Sequence, residues 1–136
     1  MKRFAAITLA LIMALICVPV TAEKADREIE GNLAVFTTAE DFAAGKLENV
    51  VTDESIGNGA IVLKEGESEG TYTSEVLGTA PFEYMVASWG ADTPTGTWID
   101  VSARAYVDMK KGWTEWLSWG KWSDSVKRGS VSGECD

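Results

Sequence analysis

Five of the six tryptophans in this chain fall between residues 98 and 122, interleaved with Asp100, Arg104 and Tyr106. Over residues 96–107 the side chains alternate as they do in a strand. Ile99, Val101, Ala103, Ala105 and Val107 share one face, which is expected to be core. Trp98, Asp100, Ser102, Arg104 and Tyr106 share the other, and Trp113, Trp116, Trp119 and Trp122 follow after a short turn. Flat aromatic rings stack on the apolar C–H faces of sugars, while a carboxylate and a guanidinium exchange hydrogen bonds with hydroxyls. Trp98, Asp100, Arg104, Tyr106, Trp113, Trp116, Trp119 and Trp122 are therefore the candidate residues for binding a glycan. The same residues, set opposite one another on paired strands, make an aromatic and cation–π ladder that stiffens a small domain. Each ring can bury about 150–250 Å², area that a domain without disulfides needs, and this weighs toward packing.

Other chemistries find no residues to carry them. Histidine is absent, which excludes Ser-His-Asp and Cys-His nucleophilic sites within this chain and removes the commonest zinc ligand. Asp92 and Asp100 could form the carboxylate pair of a glycosidase. Asp92, however, stands before Pro94 in a turn, where Asp bonds its own backbone. Glu65, Glu67 and Glu69 alternate with Gly and Ser and lack the Asp-rich spacing of calcium loops, so a solvated acidic loop is expected. No catalytic residue, metal or cofactor is assigned.

The elements that must position the aromatic face come after an N-terminal address. Lys2 and Arg3 precede an apolar run over residues 4–18, and Val20, Thr21 and Ala22 read as a cleavage site. The run is too short, and too soon followed by charge, for a membrane span. Cys17 suggests a lipid anchor, but Ile16 stands where a small residue is required. A secreted or cell-surface location is expected. Cleavage after Ala22 leaves 114 residues with 10 basic and 21 acidic side chains, moving the net charge from −9 to −11. Such acidity argues against nucleic acid and against anionic membrane surfaces as partners. Cys135 then remains alone, so no internal disulfide forms.

The expected plan is a signal peptide over 1–22, a flexible charged lead-in over 23–30 and one β-sandwich domain over 31–136. A first strand is expected over 31–36. Thr37 and Glu40 have capping-box spacing, and Gly45 closes a short helix near 38–44. Further strands are expected over 48–52, 60–63, 70–77, 82–89, 97–107 and 113–121. Trp89, on one face with Met85 and Ala87, is expected in the core. The turn at Lys110, Lys111 and Gly112 should join the last two strands as a hairpin. The fold class is all-β, an antiparallel sandwich with one short helix. The polar stretch 123–136 supplies no closing strand, so the sandwich is expected to be incomplete at the C-terminus and to self-associate through an unpaired edge.

Two families share parts of this pattern. The three-residue tryptophan step matches thrombospondin type 1 repeats, but those need several disulfides and an arginine series that this chain lacks. A second likeness covers most of the chain. Thr37 to Gly45, Gly70 to Ser74, Pro81 to Tyr84 with Ala87 to Trp89, Ala91 to Pro94, Gly96 to Ile99 and the Trp113 to Ser123 run occur in this order. That order resembles the N-terminal β-sandwich of exported bacterial proteins of the family-thirty-nine cysteine peptidase type. The resemblance implies that the sandwich continues beyond residues 129–133 and that a papain-fold domain follows. The nucleophilic cysteine and its histidine have no positions here, and Cys135 lies in the wrong region. This chain is thus expected to be a non-catalytic accessory module that can bind cell-wall or host glycan, or else a purely structural fragment of a truncated peptidase-like protein.

Overall fold

The computed structural model describes residues 25–31 and 33–125. The segment read as a signal peptide lies outside them, as do Cys135 and residues 129–133. The described elements run β1 (Arg27–Glu28), α1 (Ala39–Ala43), β2 (Lys46–Glu48), β3 (Val50–Asp53), β4 (Ala60–Leu63) and β5 (Thr71–Thr73). They continue with β6 (Leu77–Gly78), β7 (Ile99–Ala103), β8 (Tyr106–Val107), β9 (Gly112–Trp113) and β10 (Leu117–Trp122). The fold is all-β with one short helix, as expected. Its strands form five separate pairs among the described residues. Pairs β2–β5, β3–β4, β7–β10 and β8–β9 are antiparallel, whereas β1–β6 is parallel.

Helix α1 starts one residue later than the sequence spacing suggests. Thr38 caps it, accepting from the Asp41 N–H at 3.1 Å, while Asp41 Oδ2 accepts from the Thr38 N–H at 3.0 Å. Asp41 also accepts from the Thr37 N–H, so the shorter carboxylate wins over Glu40, which stays exposed. These bonds, that from Thr37 foremost, hold the Asp41 carboxyl below its ordinary value. Such a box contributes about 1 kcal/mol. The helix seats on the β3–β4 hairpin through Ala39, whose N–H donates to the Asn58 carbonyl at 3.3 Å. Ala39 is the buried apolar side chain among the described residues.

A small aromatic cluster extends from the helix. Phe42 stacks on Phe36 at 6.3 Å and meets Tyr72 edge-on at 5.6 Å. Arg27 closes it from the β1 side, 5.6 Å above Phe36 and within 3.7 Å of Asp41 and 3.6 Å of Glu75. The segment read as a lead-in therefore holds a strand and a clamp. Gly45 lets the chain pass this cluster, since a Cβ there would meet Tyr72 and the Thr73 carbonyl at 2.5 Å.

The Tyr72 hydroxyl is buried without a hydrogen-bond partner. Burial, and then Glu75 and Asp41, push its pKa above the ordinary phenol value. The neutral phenol is the form that suits this site. Its contribution to stability is complete below about pH 10, the ordinary phenol value, and is lost as pH rises through the higher folded value. Tyr72→Phe should raise stability by about 1 kcal/mol at neutral pH by deleting an unsatisfied hydroxyl, and should abolish that alkaline loss. Urea melts of both chains at neutral and strongly alkaline pH check this. A Phe variant less stable than the parent would contradict it.

Two expected strands are not paired. Residues 33–36 and 82–89 have no ladder partner, yet burial still alternates over 33–36 and from Val86 onward, while residues 82–86 are all exposed. Ala34 and Phe36 are half-buried between exposed Leu33 and Val35, and Ala87 and Trp89 between exposed Val86, Ser88 and Gly90. Period-two burial needs only one covered side, whereas a ladder needs a neighbouring backbone as well. Trp89 is accordingly half-buried, and Met85 is exposed.

Candidate functional site

Strand β7 alternates because its residues leave the pleat on opposite sides. Ile99, Val101 and Ala103 are half-buried, while Trp98, Asp100, Ser102 and Arg104 are exposed. The alternation stops there: Ala105, Tyr106 and Val107 are all half-buried. Thr114 explains the break. Its Oγ1 accepts from the Ala105 N–H at 3.1 Å and its N–H donates to the Ala105 carbonyl at 2.9 Å, stitching the gap between β8–β9 and β7–β10.

The expected hairpin is present, turning through residues 108–111 with Lys111 in the left-handed region at φ 52°. Its register explains the three-residue tryptophan step. From the Tyr106–Trp113 pair to the Ile99–Trp122 pair, one strand advances seven residues and the other nine. The second strand thus slips in two extra residues. One slip is the Thr114 stitch; the other lies between Ser118 and Lys121, where Gly120 takes φ 83°. Gly120 N–H donates to Ser118 Oγ at 2.8 Å, which sets this bulge.

The slips sort the candidate residues. Lys121 comes opposite Asp100 and sits 3.7 Å over the Trp98 ring. Arg104 lies 4.7 Å over Trp113 and 4.9 Å over Trp116, and Tyr106 meets Trp113 edge-on at 5.7 Å. Asp100 Oδ1 accepts from Ser118 Oγ at 2.5 Å and from Ser102 Oγ at 3.3 Å. Trp98, Asp100, Arg104, Tyr106, Trp113 and Trp116 therefore fall along one line in three contact groups: Trp98 with Lys121, Asp100 with Ser102 and Ser118, and Arg104 with Trp113 and Trp116, Tyr106 also meeting Trp113. Trp122 pairs with Ile99 on the opposite face, and Trp119, half-buried, falls within the bulge.

Lys121, Ser118 and Thr114 belong to the same line and escape sequence reasoning. A strict period of two counted from Trp113 keeps Lys121 on this face but puts Trp116 and Ser118 on the other, and Gly120 beside the tryptophan step is the signal that a bulge lies there. The base of the hairpin is tied to the preceding loop by the Asp124 N–H, which donates to Thr93 Oγ1 at 2.8 Å. Thr93 and Ser123 are buried there beside an open hollow of about 380 Å³ lined by Thr93, Pro94, Thr95, Asp124 and Ser125.

Chemically, this line offers ring faces, two cations and hydroxyls. Trp98 and Trp116 remain 53% and 52% exposed, so the cations cover only part of each ring. Asp100 is held by the hydroxyls of Ser118 and Ser102. Among the described residues no group of three or more His, Cys, Asp or Glu side chains is arranged to hold a metal ion. The family model described as the peptidase C39 N-terminal domain matches residues 32–136. No curated protein and no solved structure matches.

Proposed function

The chain belongs to the peptidase C39 N-terminal domain family, and on that premise we propose that it is the non-catalytic accessory module of an exported peptidase-like protein. In this reading its tryptophan face contacts cell-wall or host glycan. The family match is to an N-terminal domain and not to a peptidase catalytic domain, in keeping with a chain that lacks histidine. Export rests on the apolar N-terminal run. The half-exposure of Trp98 and Trp116, each ring lying under a cation of the hairpin, carries the glycan reading. A ring braced by a cation on one side is held in a fixed orientation, which lowers the ordering cost of stacking a sugar on the other.

A second reading has its own observation. The cations lie on Trp98, Trp113 and Trp116, and so the ladder can be purely structural. Titration of the full chain with soluble peptidoglycan fragments and chito-oligosaccharides, followed by tryptophan fluorescence, separates the two. Trp98→Ala and Trp116→Ala should each weaken binding by about tenfold while the circular dichroism stays unchanged. Failure of the parent chain to bind any of these glycans, with both variants merely less stable, would leave the structural reading standing.

A further inference from the structure

Charge is divided unevenly along this chain. Residues 25–97 hold three basic against 14 acidic side chains, net −11, whereas residues 98–122 hold four basic against three acidic, net +1. The hairpin is thus locally cationic in a strongly acidic protein. Arg104 and Lys121 make no ion pair among the described residues; the ion pairs there involve Arg27 and Lys46. Both cations rest on indoles instead. The acid of the same face, Asp100, is occupied by the hydroxyls of Ser118 and Ser102.

With so many carboxylates in the chain, two aromatic-face cations without a carboxylate partner among the described residues form a surface of definite chemistry. Cation–π attraction acts on the charge as a whole and leaves guanidinium N–H donors for a planar, bidentate acceptor. A sugar ring that stacks on an indole and carries a carboxylate meets both demands at once. We infer that the ligand class of the Trp98–Trp116 face is an anionic, carboxylate-bearing saccharide, with Arg104 and Lys121 reading the carboxylates. The inference rests on the glycan reading above and specifies its chemistry. The net negative charge does not oppose it: at physiological ionic strength fields fade over about 8 Å, so a ligand on the hairpin feels chiefly the hairpin.

The test uses the full chain with short oligogalacturonates and their carboxyl-reduced, neutral counterparts. Oligogalacturonate should bind at least about tenfold more tightly than the neutral oligomer, the scale of one charge-assisted contact. Added salt should shrink that preference, and Lys121→Gln and Arg104→Gln should shrink it without weakening the neutral ligand to the same degree. Arg104 also braces the hairpin, so the exposed Lys121 and the salt titration of the parent chain carry the decision. Equal affinity for both oligomers overturns the charge assignment and leaves the glycan reading intact. Binding of neither removes both. Equal binding of poly-glutamate overturns the saccharide class, since the face would then be reading acidic polypeptide.

Discussion

Gly59→Val should destabilise the protein by more than about 2 kcal/mol, the sum of backbone strain and a steric clash. Gly59 has φ +141°, where a side chain is strained, and its added Cβ would overlap the Ala39 amide nitrogen and stand 2.8 Å from the Thr38 carbonyl carbon. Those atoms begin helix α1. They can move aside only by breaking the Ala39–Asn58 hydrogen bond and lifting the buried Ala39 from the β3–β4 hairpin. Gly57 and Gly66 supply the control, because each has positive φ with no atom within 4 Å of an added Cβ. Alanine there should cost only about 1 kcal/mol. Urea unfolding of the three variants measures the contrast. A Gly59 variant no worse than the other two would mean that the seat of α1 on the hairpin does not support the fold.

Arg104→Ala should cost about 1–2 kcal/mol, since it removes cation–π contacts to two rings at about 0.5–1 kcal/mol each. Both contacts lie at the Thr114 stitch, where the two ladders fail to run continuously. The guanidinium bridges that gap from the side-chain layer. A double-mutant cycle with Trp116→Leu isolates the pair and should return a coupling of about 0.5–1 kcal/mol. Arg104→Lys should recover part of the loss, because the charge stays and the planar surface goes. Coupling indistinguishable from zero would reduce the ladder to side-by-side packing.

The sequence carried the local features of this fold well. Strand β4 occupies residues 60–63 as its apolar run and flanking glycines indicate, and the hairpin over residues 98–122 follows from alternation and a turn. In both, the partner strand lies within a few residues, and local chemistry suffices. Residues 82–89 have equally strong strand composition and remain unpaired, because pairing depends on a distant backbone that composition does not encode. The β1–β6 pair shows the converse. Arg27 and Glu28 look like charged coil, yet Asp26 and Arg27 donate backbone hydrogen bonds to Val76 across the fold.

The candidate site was legible as a set of residues and illegible as a surface. Trp98, Asp100, Arg104 and Tyr106 alternate onto one face from β7 alone. Which tryptophans of the second strand join them depends on bulges, each of which reverses the facing of everything beyond it. Reading residues 113–122 at a strict period of two separates Trp113 from Trp116, whereas Arg104 lies over both rings. The two slips cancel beyond Gly120, so Lys121 keeps the facing that strict alternation from Trp113 gives it.

The two slips on one side of the hairpin also shape it. A ribbon whose one edge holds nine residues against seven on the other cannot lie flat. Its longer edge must travel around the shorter, and each bulge adds to the right-handed coiling that strands already have. The row of rings from Trp98 to Tyr106 therefore winds along the ribbon as a screw stripe. On the glycan reading proposed above, a chain molecule that touches successive rings would have to follow that pitch, which would favour polymers whose own backbones coil over stiff, flat ones.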